Sequence, residues 1–198
     1  MYKYDLYISY NFHEASRNWI TGFIDKLNFF LQNELGYGPN IFFNNSQIDT
    51  GANWKEVLSY SLKSSKCLLC FWTPTYFHSE FSLSEWQSFA ERENSTNSDQ
   101  LIFPVILMGG EYFPPEARNK AALDVREYFS TFEGFWASIE AMKLEIIIKQ
   151  LAGSIAKSIV NSPEYSDQFP IVGILGNDGQ NFKEQYSNSQ PVKTKIVL

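Results

Sequence analysis

The chain alternates apolar runs with polar breaks, and the spacing within each run predicts its element. Tyr4-Asp5-Leu6-Tyr7-Ile8-Ser9-Tyr10, rich in aromatic and β-branched residues and closed by Asn11, predicts a first strand. From about 14 to 35, Ile20, Ile24, Leu27 and Leu31 recur at helical spacing. Trp19, Phe23 and Phe30 widen that stripe, and Gly36-Tyr37-Gly38-Pro39 stops it. Ile41-Phe42-Phe43 predicts a short second strand. Asn44 and Asn53 bound a polar loop, 44–53, that contains Gly51. A helix starting near Trp54 carries Val57, Leu58 and Leu62 at the helical period and ends at Ser64-Ser65-Lys66. The run Cys67-Leu68-Leu69-Cys70-Phe71-Trp72 is then a third strand. A turn around Pro74, a helix from about 82 to 93 and a fourth strand over 101–107 follow. An irregular stretch with Pro114-Pro115 leads to a short fifth strand around 125–129. The last clear element is a helix over about 135–160, striped by Leu144, Ile148, Leu151, Ile155 and Ile159.

Strands that are apolar at nearly every position are covered on both faces, as in a parallel sheet between helical layers. Strand and helix in alternation then predict an α/β, doubly wound, flavodoxin-like parallel sheet of five strands with helices on both faces. Residues 1–160 form this domain. Residues 161–198, rich in Pro, Gly, Asn, Gln and Ser, read as a tail or linker. Its close on Ile196, Val197 and Leu198 is unusual for a solvated tail and suggests a longer architecture leading to a further domain.

Charge and composition narrow the function. Sixteen basic against 22 acidic residues give a net charge of −6, which disfavours phosphate backbones and anionic lipid, so neither nucleic acid nor a membrane is an expected partner. The apolar runs fall short of the roughly 18 residues that span a bilayer, and the N-terminus lacks the pattern of a secretory signal. A cytoplasmic protein is expected, in keeping with only two cysteines. Cys67 and Cys70 lie three apart in a strand and point to opposite faces, so they read as structural thiols rather than metal ligands. His13 and His78 have no second ligand at metal spacing, and no metal site is expected.

Ligands of a doubly wound sheet bind beyond the carboxyl ends of its strands. After the first strand stands Asn11-Phe12-His13-Glu14, which is neither a dinucleotide-binding glycine fingerprint nor a phosphate-wrapping loop. Thr73-Pro74 after the third strand likewise excludes a phospho-accepting aspartate. What remains at that edge is distinctive: Asp5-Leu6-Tyr7-Ile8-Ser9-Tyr10, Gly51-Ala52-Asn53-Trp54, and Thr73-Pro74-Thr75-Tyr76-Phe77-His78-Ser79-Glu80-Phe81-Ser82-Leu83-Ser84-Glu85. These resemble a Toll/interleukin receptor (TIR) domain of the bacterial type. Its members typically begin Asp-x-Phe-Ile-Ser-Tyr, continue with Gly-x-x-Trp, and carry Ser-Pro-x-Tyr-x-x-Ser-x-Trp-Cys-x-x-Glu. The resemblance spans about residues 4 to 160. Thr73, Phe81 and Ser82 depart from the pattern, and Asn44 or Asn45 stands where an acidic residue is usual.

The resemblance implies an NAD+ glycohydrolase, with NAD+ as substrate and no bound cofactor, and it places the family's essential glutamate at Glu85. It also implies a bacterial immune effector activated by homo-oligomerisation through the loop 44–53, or, alternatively, an interaction module that assembles without turnover. Each residue has a simpler reading beside this one. Ser82-Leu83-Ser84-Glu85 also spells a capping box, in which Glu85 would bind a backbone donor. Tyr10, Phe12, Trp54 and Trp86 offer flat walls for a nicotinamide or adenine ring, or fill the core. Ser79 either bonds a ribose hydroxyl or starts a helix.

Overall fold

The computed structural model describes residues 1–11, 13–43, 54–98 and 100–173. The loop 44–53 and Phe12 lie outside the described residues. Five parallel strands, β1 (Tyr4–Tyr10), β2 (Ile41–Phe43), β3 (Ser65–Trp72), β4 (Ile102–Ile106) and β5 (Leu123–Asp124), pair in the order β2-β1-β3-β4-β5. This is the expected flavodoxin-like α/β fold. The helices are α1 (Arg17–Leu35), α2 (Trp54–Lys63), α3 (Glu80–Thr96), α4 (Pro115–Arg118) and α5 (Ile139–Val160).

Alternation along the strands builds two cores. Leu6, Ile8, Cys67, Leu69 and Phe71 pack against the buried stripes of α1 and α5. Tyr7, Leu68, Cys70 and Trp72 face the other way, toward α2 and α3. The order in which strands are added reverses between β1 and β3, β2 lying to one side and β4 and β5 to the other, so the loops after β1 and β3 diverge and leave a crevice. The helices stop where left-handed backbone is available. Gly36 at φ 76° ends α1 and returns its N–H to Gln32 O, and Asn97 at φ 50° does the same for α3 with Glu93 O.

Pro104 sits inside β4 without costing a bond. Leu68 N–H donates to Leu101 O and Leu107 N–H to Trp72 O, so the odd-numbered residues of β4 face β3. Pro104 therefore turns its missing N–H toward the short strand β5, whose pairing begins one residue later, at Val105. The fifth strand falls at Leu123–Asp124 rather than around 125–129. Val125 is fully buried just past it and supplies the apolar signal that displaced the expectation.

Past α5 the chain stays on the domain, where a tail was expected from residue 161. Tyr2 donates its hydroxyl to Pro163 O at 2.9 Å, Phe169 is buried, and Ile171 packs on the α2/α3 core. The Ser84 hydroxyl donates to Val172 O, and Val172 N–H donates to Ser88 Oγ at 3.0 Å. Small residues on α3 thus let a backbone lie close against it. The packed unit reaches Gly173, and residues 174–198 are outside the described set.

The same segment closes over Arg92, which is fully buried. Its guanidinium donates to Ser65 O at 2.6 Å and Leu62 O at 3.0 Å, at the end of α2, where the carbonyl dipoles favour a cation. It lies between the rings of Phe89 at 4.1 Å and Phe169 at 4.3 Å. Burial pulls its pKa down to about 10, still high enough for a full charge at neutral pH.

Candidate functional site

Glu85 sits in the second turn of α3, buried to 3% exposure, with its carboxyl against the carboxyl end of β1. Tyr7 donates its hydroxyl to Oε1 at 2.6 Å, and Ser9 donates to Oε2 at 2.5 Å. The Tyr76 hydroxyl lies 2.8 Å from Ser9 Oγ. With Ser9 committed to an ionised carboxylate, the chain runs from Tyr76 through Ser9 to Glu85. Tyr7 is held by stacking on Phe42, ring centres 4.9 Å apart. The capping reading of Glu85 fails, because α3 begins earlier than the box requires. Ser79 is its N-cap and accepts from Ser82 N–H, so Ser82 is the third helical residue and Glu85 lies too deep in the helix to reach a free donor.

Burial pushes the Glu85 carboxyl up from 4.5 to about 7, against the two hydroxyl bonds, which pull it down. Among the described residues no cation pairs with it. Tyr7 and Tyr76 are raised well above their ordinary value by burial and stay protonated. The sign of the linkage follows. Below pH 4.5 both folded and unfolded Glu85 are protonated, and above about 7 both are ionised, so ionisation removes about 3 kcal/mol of stability across that interval. Glu85→Gln, which cannot ionise, should therefore exceed the wild type in stability by about 3 kcal/mol at pH 8 and match it near pH 4.5. Urea unfolding at the two pH values measures this; an equal difference at both would contradict the raised carboxyl.

Among the described residues, the other candidates, Tyr10, Trp54, Ser79 and Trp86, do not converge on Glu85. Tyr10 follows Ser9 on β1 and so points to the opposite face, where it stacks on Phe43 and lines a cleft of about 230 Å³. Asn11, His13, Thr73, Thr75 and Phe129 also line it, at the crevice between the loops after β1 and β3. Trp86 is enclosed by Trp72 and Phe77, edge to face at 5.8 Å from each, and fills the core. Trp54 is 40% exposed at the start of α2, its ring edge-on to Phe81 at 4.7 Å. Ser79 is the helix cap just described. The sequence does not mark Tyr7, Ser9 and Tyr76 as partners of Glu85; the one signal is that Tyr7 and Ser9 share a strand face by simple alternation.

The model of the TIR domain family matches residues 7–138. The chain belongs to the TIR domain family. No curated protein matches it. Among solved structures, the TIR domain of the Toll-related receptor TRR-2 from Hydra magnipapillata is 18% identical, with 74% of this chain and 99% of that one covered and a TM-score of 0.47. The TIR domains of the activated Roq1 resistosome, a structure described as directly recognising the pathogen effector XopQ, are 15% identical over 81% of this chain and 86% of that one, with a TM-score of 0.44. Among the described residues, no helix of this TIR domain is long and apolar enough to cross a membrane.

Proposed function

We propose that this TIR domain is an NAD+ glycohydrolase of the bacterial immune type, acting in the cytoplasm, with Glu85 as its catalytic carboxylate. The observation that carries this is the Glu85 carboxyl itself: presented at the carboxyl end of β1, oriented by two hydroxyls, and not consumed as a helix cap. One carboxylate suits the reaction. The nicotinamide of NAD+ is cationic before the bond breaks and departs neutral, so no acid has to protonate it, unlike an ordinary sugar leaving group. Positive charge then develops on the ribose, and a fixed anion in a site with little water stabilises it until water adds at the same carbon. NAD+ is consumed as substrate and no further cofactor is required.

At 3% exposure, Glu85 cannot touch a ribose until the site opens. We assign that opening to homo-oligomerisation through the loop 44–53, as the family resemblance implies. Nicotinamide release per subunit should then rise steeply as the protein concentration is raised a hundredfold, in step with particle mass by light scattering. A rate per subunit that stays flat while scattering reports monomer would leave no role for assembly.

The same burial favours a second reading, in which Glu85 is a core acid and the domain signals by homotypic contact alone. Assembled protein that releases no nicotinamide at any concentration would establish that reading and exclude the first.

A further inference from the structure

Two alternate residues of β1 reach the two oxygens of one carboxyl group. Tyr7 is fully buried, its ring fixed on Phe42, and its hydroxyl stands 2.6 Å from Glu85 Oε1. Ser9 is 1% exposed, stands 2.5 Å from Oε2, and is backed by Tyr76. In the family pattern quoted above, the position of Tyr7 is Phe. A phenyl ring would make the same stack, so the hydroxyl is an addition of this chain whose described partner is Glu85.

We propose that Tyr7 and Ser9 are the positioning residues of Glu85, pinning both carboxyl oxygens, fixing the plane of the group and favouring its ionised form. An ionised carboxylate offers about four acceptor directions. Two are used here, so each oxygen keeps one for a ribose hydroxyl or for facing the developing charge. Without the two donors the buried carboxyl would rotate freely between orientations and hold its proton to higher pH.

The groups facing Glu85 leave it alone in titrating near neutrality. Tyr7 comes from β1, Cys70 from β3 and Tyr76 from the turn before α3, and burial keeps all three protonated. To the same core α2 contributes Leu58 and Leu62, and the C-terminal segment Ile171. Among the described residues, none of these elements aims a lysine, arginine or histidine at it.

This inference rests on the glycohydrolase reading, and its test separates the two. Tyr7→Phe and Ser9→Ala preserve the packing, and thermal melts should show both folded. The side-chain carboxyl of Glu85 is followed by 13C NMR in glutamate-labelled protein, assigned as the resonance absent from Glu85→Gln. Its titration midpoint should rise by about one pH unit in either variant. In the assembled protein, the acid limb of kcat for nicotinamide release should rise by the same amount, with KM little changed. At pH 7 the Tyr7→Phe rate should fall about fivefold further than at pH 9, where the carboxyl is ionised and only its freed orientation lowers the rate. An unmoved midpoint, or variant rates equal to the wild type at every pH, would overturn the positioning role even if NAD+ is hydrolysed. A shifted midpoint in a protein that never releases nicotinamide would support the hydroxyl clamp and remove the catalytic reading.

Discussion

Glu85→Gln should abolish nicotinamide release from NAD+ in the assembled protein, lowering kcat by about 10²-fold to 10³-fold or more, as when a preorganised electrostatic group is removed from a transition state. Glutamine keeps the shape of the side chain and can accept from Tyr7 or Ser9 through its one carbonyl oxygen. What it loses is the negative charge, so the loss falls on stabilisation of the ribose cation. The same substitution should raise stability above neutral pH, because it removes a carboxylate whose ionisation burial opposes. Activity and stability then move in opposite directions, which no unfolding artefact produces. A Glu85→Gln protein that hydrolyses NAD+ at the wild-type rate would remove Glu85 from the mechanism.

The sheet was legible because its signal is local and redundant. Tyr4–Tyr10, Ile41–Phe43 and α1 each carry a full period of apolar positions bounded by a turn residue. β5 spans only Leu123–Asp124, with one side chain exposed, and two residues have no period to read. The start of α3 moved from about 82 to 80 because two serines compete for one cap, and the sequence alone does not say which Oγ meets a free N–H.

The candidate site was legible to the level of Glu85 and not beyond it. Alternation puts Ser9 and Tyr10 on opposite faces, although position along the chain puts Tyr10 and Glu85 at one edge of the sheet. Face matters here as much as edge: Ser9 enters the Glu85 cluster and Tyr10 the separate cleft. Tyr7 reads as an ordinary strand aromatic until α3 is laid over it. Arg92 is the harder case, since a single arginine in a polar helix reads as solvated. Only the tertiary arrangement brings it three carbonyls, at Leu62, Lys63 and Ser65, and two aromatic faces.

The packing of residues 162–173 leads to a second large effect, on stability. Phe169 is 5% exposed, touches the Arg92 guanidinium and packs with Tyr2 and Tyr165. Phe169→Ala should therefore cost about 3 kcal/mol or more, the range for a buried aromatic truncated to alanine, because the ring of Phe89 and the stem of Arg92 cannot both collapse into the space. For a domain of this size that is a fall in Tm of at least about 6 °C. Deleting the chain from residue 162 should destabilise further, since it also removes the backbone bonds to Ser84 and Ser88 and the contacts of Tyr165 with Tyr2. Deletion from residue 174 is the control, and the difference between the two deletions isolates the packed segment from everything beyond it. Calorimetry that finds Phe169→Ala and the deletion from 162 melting within about 1 °C of the parent would mean that the segment does not hold α3 in solution, and would restore the domain boundary at residue 160.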